Sequence, residues 1–243
     1  MGDMHPLVIV HGAFGGGWEW TPVAELLRAQ GGRVFTPTLA GLGDRAHDDA
    51  ATVGLRTHVA DVIAVLEMED LEDVILCAAS YGGMPVTAAT AHLADRVGRV
   101  VYLDALVPRD GEAGVDLIPG RFADDIRRGM LADGPAHRIP VPEALLPPPG
   151  CAPEAIRQRY IARLRPQPVL TFTEPARVSP TTVESTFIRS TRSNVGHAED
   201  DPIAAMALRA QAAGWDYREI DATHDPHLSH PDAVVALLSE LAG

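Results

Sequence analysis

Short, wholly apolar runs set between amphipathic stretches constrain this chain more than any other feature. Residues 7–10, Leu-Val-Ile-Val, are fully apolar and stop at His11-Gly12, and residues 33–39 are a second strand candidate that stops at Ala40-Gly41-Leu42-Gly43. Residues 74–77 and 100–106 repeat the pattern. Runs without polar alternation predict strands buried on both faces. The segments between them keep a helical period. Thr21 is an expected N-cap with Pro22 at the first helical position, followed by Val23, Leu26 and Leu27 on one face. Thr57 opens a second helix through Val59, Val62, Ile63 and Leu66, and residues 82–94 a third. Buried strands joined by helices require a mostly parallel sheet with right-handed crossovers, an α/β architecture.

The pattern breaks after Pro108. Thirteen of the 20 prolines lie between Pro108 and Pro180, with short helical pieces expected at 123–130 and 153–164. A long, Pro-stiffened excursion inside an α/β chain is expected where it covers a site, so 108–180 reads as an inserted cap. The core is then 1–107 and 181–243. In its second part, 186–191 and 217–220 read as strands, and helices follow Asp201-Pro202, to 213, and span 231–241.

Charge and composition remove several functions. The net charge of −13 repels nucleic-acid backbones and anionic lipid. No apolar run reaches the roughly 18 to 20 residues of a membrane span, and the first residues lack a secretory signal pattern, which sets a cytoplasmic location as the expectation. All 20 basic side chains are arginine, so Schiff-base and P-loop lysine chemistry are excluded. Cys77 and Cys151 are too few for a disulfide framework or a cysteine zinc site.

Three segments carry chemistry. Ala78-Ala79-Ser80-Tyr81-Gly82-Gly83 is a strand-turn-helix with serine at the bend, a G-x-S-x-G variant with alanine first. A nucleophile elbow needs very small residues two before and two after its serine, and Ala78 and Gly82 meet that need. His11-Gly12-Ala13-Phe14 follows the first strand, where an amide can face a developing oxyanion; Ala13 and Tyr81 are the expected donors. A dinucleotide site is disfavoured because the spacing does not give G-x-G-x-x-G. His224 follows the last strand, so the order serine first, histidine last is that of this architecture. The series His224, His227, His230 also admits a zinc reading, but the spacing and Pro226 do not match a helical metal site, and none is expected.

These motifs, with Gly16-Gly17-Trp18-x-Trp20, Gly41-Leu42-Gly43-Asp44-Arg45-x-His47 and Tyr102-Leu103-Asp104-Ala105-x-Val107-Pro108, resemble the α/β-hydrolase family of plant methyl-salicylate esterases and hydroxynitrile lyases in its bacterial branch. The likeness runs nearly end to end. It implies an α/β-hydrolase fold, a Ser-His-acid triad, an oxyanion hole of two backbone amides and a cap over an apolar pocket. Two departures qualify it. The plant members carry the acid after the strand matching 186–191, where this chain has Arg192-Ser193-Asn194. Asp104 is the replacement expected, with Asp200 and Asp201 as alternatives and Asp201 better read as a helix N-cap. The lyases carry a lysine and a threonine at the places of Asp225 and Gly12, so cyanohydrin cleavage is disfavoured.

The expectation is a cofactor-free serine hydrolase of a small apolar or aromatic ester, carbamate or thioester. Phe14, Trp18, Leu117 and Phe122 are expected at the substrate. The expected partner is a small-molecule substrate, with a homodimer left open. The competing readings are a binding protein that has lost turnover, motivated by the missing acid and the altered elbow, and a cofactor-free lyase acting on an aromatic substrate.

Overall fold

A computed structural model describes residues 4–118, 120, 123–124, 126, 137–193, 195 and 201–243. The strands are β1 (Leu7–Val10), β2 (Val34–Phe35), β3 (Val74–Ala79), β4 (Val97–Leu103), β5 (Arg138–Ile139), β6 (Gln167–Pro168), β7 (Glu184–Ser190) and β8 (Asp216–Ile220). Six form one parallel sheet in the order β2-β1-β3-β4-β7-β8, and β5 and β6 pair separately and antiparallel. The order reverses direction next to β1, so the C-terminal ends of β1 and β3 open onto the crevice where such sheets place their ligands.

Side-chain alternation sends each strand into two separate cores. Val8, Val10, Leu76, Ala78, Val100 and Phe187 pack on one face beneath the helices Leu55–Met68, Gly83–Thr90 and Pro202–Ala212. Leu7, Ile9, Ile75, Cys77, Val101 and Ile188 pack on the other, beneath Thr21–Ala29 and Pro231–Ala242. This double burial explains why β1 and β3 read as unbroken apolar runs.

Boundaries differ from the sequence reading in three informative places. The run 33–39 is strand only over Val34–Phe35, because the chain leaves the sheet edge there. Thr21 is the first helical residue and makes no side-chain cap; a 3-10 turn, Gly17–Trp20, leads directly into the helix. The strand expected at 100–106 runs over Val97–Leu103 and ends where Asp104 takes a left-handed backbone, φ 46°. Asp201 does cap its helix, accepting from the Ile203 and Ala204 amides. The helix expected at 123–130 lies largely outside the described residues, and the second one in that region spans Glu154–Ile161.

Between β4 and β7 the described residues add no strand to the main sheet. Arg138 and Gln167 are among the polar side chains that fasten this excursion to the core. Arg138 donates to the carbonyls of Gly41, Ala46, Asp48 and Pro166. Gln167, fully buried, accepts the Phe14 N–H at 2.8 Å and donates to Thr171 Oγ1 at 2.9 Å. Satisfying a buried amide at both ends makes the attachment specific.

The helix after β3 passes so close to the chain beyond β4 that a Cβ at Gly83 would lie 1.9 Å from the Leu106 carbonyl oxygen. Gly83→Ala is therefore expected to destabilise the fold by about 1–3 kcal/mol, the usual cost of overpacking, read as a lower urea midpoint. An unchanged midpoint would contradict this packing.

Candidate active site

The turn after β3 places Ser80 in left-handed backbone, φ 50°. Its geometry depends on close backbone passage: a Cβ on Gly82 would sit 2.7 Å from the carbonyl oxygens of both Val10 and His11. Ala78, fully buried, occupies the position two residues before the serine. Phe14 (φ 65°) and Asp104 (φ 46°) share the same unfavourable conformation. Strain of this kind persists only where surrounding structure enforces it, and here three strained residues converge on one crevice.

His224, from the loop after β8, joins the other two groups. Ser80 Oγ–H donates to His224 Nε2 at 2.8 Å, and His224 Nδ1–H donates to Asp104 Oδ2 at 2.6 Å. The Asp104 side chain is fully buried, and its second oxygen accepts the Ser190 N–H at 2.9 Å. Burial opposes a charge on His224, but the hydrogen bond and charge of Asp104 outweigh it, with Asp225 and Asp201 adding to the effect, and the imidazole pKa rises above its usual 6.5. Asp201, the alternative acid, is engaged elsewhere, capping its helix and pairing with Arg189 at 2.7 Å. Asp200 and Asn194 lie outside the described residues.

The loop after β1 is held by a buried neutral imidazole. His11 Nε2 accepts the Leu39 N–H at 3.0 Å, which leaves the proton on Nδ1, and Nδ1–H donates to the Gly12 carbonyl at 2.7 Å. Burial pulls the His11 pKa down to about 4, so this tautomer persists at neutral pH. In a trans peptide the C=O and N–H point in opposite directions, so fixing the Gly12 carbonyl also fixes the Ala13 amide. The next residue is tied as well: Arg165 N–H donates to the Phe14 carbonyl at 2.7 Å, complementing the Gln167 bond to the Phe14 amide.

Ala13, Phe14, Ser80, Tyr81 and His224 line one cavity. Tyr81 is anchored by its hydroxyl, which donates to His58 Nδ1 at 2.9 Å; that ring is fixed in turn by donating Nε2–H to the Ala40 carbonyl. Two expected wall residues fall elsewhere. Trp18 packs edge-on against Tyr160, ring centroids 5.3 Å apart, beneath the Arg163 guanidinium, and Tyr160 faces the cavity in its place. Leu117 is buried in the core while its neighbour Ile118 lines the cavity. Phe122 lies outside the described residues. The sequence reading missed Glu19, Tyr160 and His227 as wall residues; only the unusual charge between two tryptophans, Trp18-Glu19-Trp20, could have flagged one of them. Among the described residues no group of three His, Cys, Asp or Glu side chains is arranged to hold a metal ion, and no helix is long and apolar enough to cross a membrane.

A six-stranded parallel sheet with serine at a strained strand-helix turn and histidine after the last strand defines an α/β hydrolase. Residues 7–237 match the alpha/beta hydrolase family, and the chain belongs to it. Among characterised relatives, the carbendazim hydrolyzing esterase of Nocardioides sp. (strain SG-4G) is 46% identical over 123 residues, 51% of each chain. Methylesterase 18 of Arabidopsis thaliana is 33% identical over 119 residues, 49% of this chain and 44% of its own. The chain thus spans about half the length of the curated relatives it matches. A solved extracellular α/β-hydrolase from a Paenibacillus species superimposes with a TM-score of 0.84 over 98% of this chain and 99% of its own, at 22% identity, a likeness of fold.

The raised imidazole gives a direct test. The His224 ring, followed by NMR, is expected to titrate above pH 6.5 and to fall in Asp104→Asn. Because the folded value exceeds the unfolded one, the pair's contribution to stability is fully present below about pH 6.5 and fades as pH rises through the folded value. A midpoint that Asp104→Asn leaves in place would contradict the pairing.

Proposed function

We propose that the protein is a serine esterase that cleaves a small apolar or aromatic ester, or the related carbamate or thioester, through an acyl-enzyme. The observation that carries this reading is the unbroken chain of hydrogen bonds from Ser80 through His224 to Asp104. Ser80 Oγ attacks the carbonyl carbon while His224 Nε2 takes its proton; the bond from that carbon to the leaving oxygen, or to sulfur in a thioester, then breaks, and His224 returns the proton to the departing atom. Water, deprotonated by His224, attacks the acyl-serine and releases the acid and the free Ser80 hydroxyl. Asp104 holds the reactive tautomer and stabilises the imidazolium. The Ala13 and Tyr81 amides receive the oxyanion, each supplying about 3 kcal/mol in the transition state.

The relatives' names agree with this chemistry, being those of an esterase acting on carbendazim and a methylesterase. The mostly apolar wall, including Leu103, Leu106, Val141 and Phe172, suits an aryl or short alkyl group. The binding-only alternative drew its support from the missing acid at 192–194 and from alanine in the first position of the elbow; with Asp104 beside the imidazole, and Ser80 in its left-handed turn bonded to His224, no observation favours it.

A fluorophosphonate probe is expected to label Ser80, with labelling abolished in Ser80→Ala and strongly slowed in His224→Ala. On a neutral aryl ester, Asp104→Asn is expected to lower kcat by about 10⁴-fold, the cost of a misoriented base. Folded protein that takes no probe would overturn the reading.

A further inference from the structure

Apart from Tyr81, whose hydroxyl is engaged with His58, four titratable side chains face the cavity without taking part in the relay. Glu19 comes from the Gly17–Trp20 turn, Tyr160 from the helix Glu154–Ile161, and Asp225 and His227 from the segment after β8. Glu19 is 6% exposed and His227 5%. Trp20 stacks on the His227 ring with centroids 4.6 Å apart, and Tyr160 packs on it at 5.9 Å. Tyr160 Oη–H donates to Asp225 Oδ1 at 3.4 Å and also acts on the Glu19 carboxyl.

Donors and acceptors do not balance in this cluster. Glu19 Oε1 and His227 Nε2 are buried without a hydrogen-bond partner, and the 3.9 Å between His227 Nε2 and Glu19 Oε2 is too long for a bond. Tyr160 has one proton for two carboxyls, and although the Gly16 N–H also serves Glu19, Oε1 is left without a donor. Among the described residues no arginine pairs with Glu19 or Asp225. Burial without a paired arginine pushes both carboxyls up, a cost to ionisation that an incoming cation would offset, and it pulls the His227 imidazole down to about 3, so that among the basic groups only His224 of the relay acts on Asp225. Interiors seldom leave such groups unsatisfied. A hydrocarbon ligand would leave the acceptors stranded, and an anion would add repulsion. A cation with several N–H donors supplies what is lacking, and an amidinium presents paired N–H groups that match a carboxylate.

The geometry points to a second recognition site in this cavity, in which Glu19 and Asp225, with His227 and Tyr160 beside them, bind an amidinium-like or ammonium group of the substrate. The substrate class is then an aryl or heteroaryl ester or carbamate that carries a basic nitrogen. The net charge of −13 draws such cations toward the protein. The hydrolytic step rests on the esterase reading above; the binding does not.

The test is calorimetric titration of the full chain carrying Ser80→Ala, at neutral pH, with benzamidinium and with benzamide, which match in shape and differ in charge. Benzamidinium is expected to bind at least about tenfold tighter, and Glu19→Gln in the same background is expected to remove most of that preference. Equal affinities, or a preference that survives Glu19→Gln in folded protein, overturn the proposal. Should Glu19→Gln fail to fold, Tyr160→Phe takes its place: loss of the competing hydroxyl proton is expected to raise benzamidinium affinity, and unchanged or weaker binding overturns the proposal. Ser80→Ala protein needs no turnover, so this result stands apart from that of the fluorophosphonate labelling.

Discussion

A buried carboxylate holds this site together. Asp104 has no exposed surface, and an anion in that position is tolerable only when hydrogen-bonded on both oxygens. One oxygen takes His224 Nδ1–H from the loop after β8, and the other takes the Ser190 amide at the end of β7. The Asp104 amide itself donates to the Ile188 carbonyl at 2.8 Å. Three neighbouring parts of the sheet edge are thereby fixed relative to one another, and the imidazole is left aimed at Ser80. The left-handed backbone at Asp104 is where the strand must turn to present that carboxylate.

Three buried imidazoles near the crevice illustrate how environment assigns roles. His11 and His58 meet backbone carbonyls and a hydroxyl, and burial holds both near a pKa of 4, so they stay neutral and serve as fixed donor-acceptor bridges. His224, its side chain 11% exposed, is only slightly less enclosed but faces a carboxylate, and its pKa moves the opposite way. The difference lies in the partner rather than in depth, as expected when pairing competes with desolvation. The segment between β4 and β7 joins the same network, because Gln167 and Arg165 grip Phe14 one residue beyond the Ala13 amide.

Much of this was legible in the sequence because strands buried on both faces leave apolar runs, and because an elbow demands small residues at fixed offsets from its serine. The sheet strands and the turn at Ser80 follow from those local rules, whereas His224 is placed by the serine-first, histidine-last order of the architecture and Asp104 by the resemblance to hydrolases of this fold. Features set by distant contacts did not appear. Nothing local marks that β2 leaves the sheet after Phe35, that Thr21 continues a 3-10 turn instead of capping, or that Trp18 turns toward Tyr160 and away from the cavity. Gln167 likewise reads as an ordinary polar residue, yet its amide bonds a residue 153 positions away.

The central claim is that the Ser80 hydroxyl becomes covalently acylated. A single-turnover reaction with a 4-nitrophenyl carbamate, whose acyl-enzyme hydrolyses slowly, tests it through two readings on one sample. The account predicts about one equivalent of nitrophenolate per protein, matched by a carbamoyl mass increment on the peptide bearing Ser80. Nitrophenolate release with no mass increment, or release that persists unchanged in Ser80→Ala, would contradict it.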